Sequence, residues 1–200
     1  MKYMDVIFVT LINECKYKDA LIYLKDIPTC KLNEVNVYWQ NYLHIVCEKP
    51  HFEYKTILLQ YLLEYIDPNS YDMAWETPLM YSCKILDYKC VNLLLKYLAN
   101  PNSKNGSGKT CVYLALNNPE GDKQYKVFEL LMDNGGIKPS FHLDSTYFNE
   151  KYLNEKFDKQ YERYTRWKRR KNIVCALHYM KEDHNVLSIY ELKKHIITYI

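Results

Sequence analysis

Asp67-Pro68-Asn69-Ser70-Tyr71-Asp72-Met73-Ala74-Trp75-Glu76-Thr77-Pro78-Leu79-Met80-Tyr81-Ser82-Cys83 decides the fold, because its outline returns later in the chain. Asn100-Pro101-Asn102-Ser103 opens a second copy that runs through Lys104-Asn105-Gly106-Ser107-Gly108-Lys109 to Thr110-Cys111-Val112-Tyr113-Leu114-Ala115, 33 residues on throughout. Between them Cys90-Val91-Asn92-Leu93-Leu94-Leu95-Lys96-Tyr97-Leu98 is apolar at helical spacing. Thr77 is suited to accept a hydrogen bond from the first-turn amides of a helix, and Pro78 at the first helical position removes an amide that would be unpaired anyway. A unit made of a turn, a short capped helix and a leucine-rich helix leaves an apolar face bare, so such units gain stability by stacking.

Weaker copies flank this pair. Upstream, Asn41-Tyr42-Leu43-His44-Ile45-Val46-Cys47 reads as a capped first helix and Ile57 to Leu63 as its second, with extra residues around Pro50 and His51. Downstream, Val127-Phe128-Glu129-Leu130-Leu131-Met132 followed by Gly135-Gly136 reads as a second helix and its stop, after an insertion around 118–122. Asp5 to Ile27 reads as two amphipathic helices broken near Glu14 to Lys18.

The period and the Thr77-Pro78-Leu79 core resemble the ankyrin repeat. That resemblance implies an all-α solenoid of about four degenerate units over 1–140 (about 4–37, 38–69, 70–102 and 103–140), followed by an α-helical extension or cap over 141–200. It also implies a protein partner gripped by turn tips and inner helices. The positions it marks are Tyr71, Met73, Lys104, Asn105 and Ser107 at the tips, with Tyr81, Ser82 and Tyr113 on the inner helices. Where the family places glycine, this sequence has Trp75 before the Thr77 cap, and Leu98 and Tyr65 after second helices. Bulky residues resist φ > 0, so these loops are expected to bend differently from the family's.

Composition narrows the function class. The 200 residues are 48% apolar and 26% charged, with 5 Gly and 7 Pro, which favours helices joined by short turns. The 21 Tyr against 6 Phe and 3 Trp, with abundant Lys, Asn and Ile, is the usage of an AT-rich genome. Together with the degenerate repeats, it resembles ankyrin proteins of large DNA viruses such as poxviruses, which intercept host defence factors, and an intracellular parasite's effector would look much the same; either resemblance implies a host signalling or defence protein as partner. The seven Cys stand singly without metal spacing, implying a reducing, intracellular and cytoplasmic setting with neither disulfides nor zinc. No apolar run approaches the ~18 residues of a membrane span, so no membrane contact is expected.

Catalytic and cofactor readings find little support. Gly106-Ser107-Gly108-Lys109-Thr110 echoes a phosphate-binding loop, but Ser103 stands where the motif needs its first glycine, and no strand precedes it. His178 and His184 lack a third ligand, and the carboxylates form no acid/base pair, so neither an enzyme nor a cofactor is expected.

One charge cluster remains. Lys159 to Lys171 holds seven Lys/Arg and one Glu, including Arg163, Arg166, Lys168, Arg169, Arg170 and Lys171. It is placed at the close of a helix whose Tyr147, Leu153, Phe157, Tyr161 and Tyr164 form an apolar stripe. Three readings fit it: a solvated helix end favoured by the dipole, a nuclear import signal over 166–171, and a nucleic-acid contact, the last being the alternative to a purely protein-binding role. Beyond it, 172–180 reads as helical, and Ser188-Ile189-Tyr190-Glu191 as a capping box opening a final helix, the two together either capping the array, as an array needs, or presenting their apolar face to a partner.

Overall fold

A computed structural model of the chain describes residues 5–28, 31–32, 34–119, 121–139 and 147–182. Among them the regular structure is helical. The elements are α1 (Val6–Asn13), α2 (Tyr17–Asp26), α3 (Tyr42–Glu48), α4 (Lys55–Leu63), α5 (Pro78–Lys84), α6 (Tyr88–Lys96), α7 (Cys111–Leu116), α8 (Asp122–Asp133) and α9 (Tyr147–Glu182).

Local chemistry sets the helix starts. Asp5, Asn41, Thr77, Asp87 and Thr110 each accept a first-turn amide with a side-chain oxygen, as Thr77 does from Met80 N and Thr110 from Tyr113 N. Pro78 occupies the first turn of α5. The N-terminal break falls at Glu14–Lys16, between α1 and α2.

The first eight helices form four antiparallel pairs, and like helices stack on like. α1, α3, α5 and α7 pack in succession as one row, and α2, α4, α6 and α8 as another. Leu43, Val46, Leu58, Leu62, Leu79, Met80, Cys83, Val91, Leu94, Val112, Phe128 and Leu131 fill the space between the rows, and Phe8 meets Tyr42 edge to face at 4.6 Å. Asn69 and its copy Asn102 stitch successive units. Asn69 donates to Leu98 O (3.2 Å) and accepts from Asn100 N (2.7 Å); Asn102 donates to Gly135 O (2.9 Å) and accepts from Ile137 N (3.0 Å).

The expectation for the glycine-free loops is corrected. Trp75 and Leu98 take left-handed backbone, with φ of 59° and 63°, and so keep the bend that Gly108 and Gly135 give the following unit. Turn hydrogen bonds and the stacking of neighbouring units outweigh a steric penalty of roughly 1–2 kcal/mol. Tyr65 alone of the three avoids that region: its amide, like that of Ile66, bonds back to Leu62 O.

The chain divides into two compact units, Met1–Phe157 and Asp158–Ile200, so the division falls inside α9. In the first unit α9 buries Leu153 and Phe157, whose ring meets Phe128 at 5.7 Å, and Lys156 Nζ donates to Asn118 O at 2.6 Å. Tyr164 is also buried, but Tyr161 is exposed and leaves the expected stripe, and the side chain of Tyr147 lies outside the described part. Because α9 continues to Glu182, the basic cluster sits in mid-helix, and the helix-end dipole reading does not apply. The Ser188 capping box and the final helix lie outside the described residues.

Candidate partner-binding surface

Three turns of one design precede the inner helices. In each, an Asn or Asp donates its backbone amide to the carbonyl of the residue four positions on and accepts two amides with its Oδ1. Asn36 accepts from Tyr38 N and Gln40 N, Asp72 from Ala74 N and Glu76 N, and Asn105 from Ser107 N and Lys109 N, at 2.8–3.1 Å. The fourth residue of each is left-handed: Trp39 (φ 61°), Trp75 (φ 59°) and Gly108 (φ 70°). Met73 N donates to Tyr38 O (3.0 Å) and Gly106 N to Ala74 O (2.9 Å), which joins the turns side by side. These bonds occupy the amides that a phosphate would need at Gly106, Ser107 and Gly108.

A polar network stiffens the turns from below. Asn36 donates to Gln40, Gln40 to the Tyr81 hydroxyl (2.8 Å), and that hydroxyl to Asp72 Oδ2 (2.7 Å). Glu76 accepts from Asn105 Nδ2 (3.1 Å) and pairs with Lys84, while its carbonyl accepts from His44 Nε2 (3.0 Å). Burial and the Asp72 bond push the Tyr81 phenol well up, so it stays a donor. Burial holds the His44 imidazole below its ordinary value, against the smaller opposing pull of the Glu76 carbonyl.

The expected contact residues now separate. Tyr71, Met73, Lys104 and Ser107 are exposed at the tips, and Tyr71 also donates to Ser103 Oγ at 3.2 Å. Asn105 and Tyr81 are half-buried members of the network. Two positions are corrected: Ser82 is fully buried, facing the core as Ala115 does in the next copy, and Tyr113 is buried with Lys109 above its ring at 5.2 Å. Val37, Tyr38, Trp39 and Trp75 are exposed beside Tyr71 and Met73 and were not among the expected positions. The spacing Asn36-x-x-Trp39-x-Asn41 parallels Asp72-x-x-Trp75-x-Thr77 and carries the signal for them.

A second polar cluster lies between outer helices. His51 Nδ1, an Asp87 carboxylate oxygen and Cys90 Sγ come within 4.8 Å of one another. The fully buried Lys55 ammonium donates to Asp87 Oδ2 at 2.8 Å and to Lys49 O, so this carboxylate already has its cation, which holds it below the ordinary range against the opposing effect of burial. Burial pushes the Cys90 thiol far up, which disfavours the thiolate a metal would need.

On α9, Arg163, Arg166, Lys168, Arg169, Arg170 and Lys171 are all exposed. The side chains of His178 and His184 lie outside the described part. Among the described residues no helix is long and apolar enough to cross a membrane.

A family model of ankyrin repeats in three copies matches residues 43–141, about half of the chain. A search of curated proteins returns no match. Repeats of this kind are protein–protein interaction modules, typically without enzymatic activity. The matched span contains two of the three cap turns and three of the four helix pairs, and the chain is an ankyrin-repeat protein.

Proposed function

We propose that the protein is a non-enzymatic binding module that grips a protein partner with the apolar ridge formed by Val37, Tyr38, Trp39, Tyr71, Met73 and Trp75, rimmed by Lys104 and Ser107. One observation carries this reading. Trp39 and Trp75 are left-handed and more than half exposed, at a position where glycine would relieve the strain and give nothing to bind with. Rigid Tyr and Trp side chains on a stitched scaffold bury large area at little entropic cost, which is the make-up of interface hot spots.

The tyrosine-rich usage and the resemblance to poxviral ankyrin proteins support an intracellular host factor as the partner, held rather than modified. The test is capture from host-cell lysate with Tyr38→Ser/Met73→Ser against Ile22→Ser/Ile57→Ser, whose isoleucines are equally exposed on α2 and α4. A discrete protein lost only from the ridge variant supports the reading; equal retention by both variants overturns it.

A further inference from the structure

The chain has no acidic residue between Glu162 and Glu182, and six of the nine residues from Arg163 to Lys171 are basic. α9 is continuous through this stretch, so successive side chains turn by about 100°. Arg163, Arg166 and Arg170 then share one flank, Lys168 and Lys171 share the other, and Arg169 lies outside the first. Upstream, one side of α9 is covered at Leu153, Phe157 and Tyr164, whereas every residue from Arg166 to Asn172 is exposed. Arg166 meets Glu162 at 3.7 Å, an open pair of small value. Lys168 and Lys171 rest over the rings of Tyr164 and Trp167 at 5.0 and 4.9 Å, which orders the cations.

We propose that residues 163–171 seat α9 in the major groove of double-stranded DNA, with cations of both flanks on the two phosphate backbones. The distribution of charge selects this partner. An acidic protein surface meets one side of a helix and leaves the far cations idle. A membrane surface needs an apolar face opposite the basic one, and within 166–171 Trp167 is the single apolar side chain, so the stretch offers no such face. The major groove of B-form DNA is about 12 Å wide, admits a helix of about 10–12 Å, and places phosphates along both sides of it. The deep, narrow major groove of an RNA duplex does not admit one. This site shares no residue with the ridge, and neither reading depends on the other.

The test uses the full chain and a short fluorescent DNA duplex of random sequence, read by anisotropy over a salt series. With about five phosphates neutralised, the slope of log affinity on log salt is expected near −4 to −5. Arg166→Glu/Arg170→Glu and Lys168→Glu/Lys171→Glu should each weaken binding at least about tenfold, while Lys18→Glu/Lys25→Glu on α2 stays within about twofold. Circular dichroism checks that each variant keeps its helix content, and Arg166→Gln/Arg170→Gln should give a smaller loss in the same direction. The proposal is overturned by the absence of saturable binding, by an RNA duplex or polyglutamate binding as tightly as DNA, or by loss confined to one flank.

Discussion

Trp39, Trp75 and Leu98 hold the same left-handed geometry for different returns. Leu98 is 83% exposed, so its side chain contributes little to set against the strain. Leu98→Gly is expected to stabilise the fold by about 1 kcal/mol, the left-handed penalty less glycine's extra loss of backbone freedom, which raises the melting temperature by about 2–4 °C in a chain of this size. A melting temperature unchanged or lowered would show that the bend is not strained. His44 makes a second residue-scale prediction. Its native pKa lies below the unfolded value near 6.5, so the unfolded chain takes up the proton first; His44's contribution is complete above about pH 6.5 and declines as pH falls toward the native value. His44→Met, the residue that Met80 supplies one unit later, should flatten that part of the decline in urea midpoints measured between pH 7 and 5.

At the scale of elements, the turns hold each other through Asp72, which carries two amides of its own turn and the Tyr81 hydroxyl from α5. Asp72→Ala leaves these donors unmet and should cost about 2 kcal/mol, with hydrogen exchange accelerated at the buried Glu76 amide while that of Val91 in α6 is little changed. Exchange rising equally at both sites would mean that the turns have no stability of their own. The capped helices were legible in the sequence because capping is local chemistry: Thr77, Pro78, Thr110 and Asn41 act within one turn of themselves. The first turn was not, because it stands 36 residues before its copy at Asp72, outside the 33-residue register. Ser82 and Tyr81 are one residue apart on α5, and only the stacking of the rows decides which of them the core takes. The left-handed Trp75 and Leu98 were misjudged because a local steric preference was set against turn bonds and packing that sequence does not display.

Over the whole molecule, stability and binding have opposite requirements at the ridge. The array stacks units through buried leucines and the asparagine stitches, and none of this requires large aromatic side chains at the tips. A chain selected for stability alone would carry glycine at 39 and 75, as it does at 108. The two tryptophans therefore mark where this ankyrin-repeat protein retains strain for the sake of contact. The most direct test is Trp75→Gly, with its melting temperature and its affinity for the captured partner measured on the same preparation. Relief of strain offsets the lost ring contact with Tyr71, so the melting temperature should hold or rise while affinity falls at least about tenfold, or ~1.4 kcal/mol. A variant that binds as tightly as wild type would contradict the assignment of the ridge.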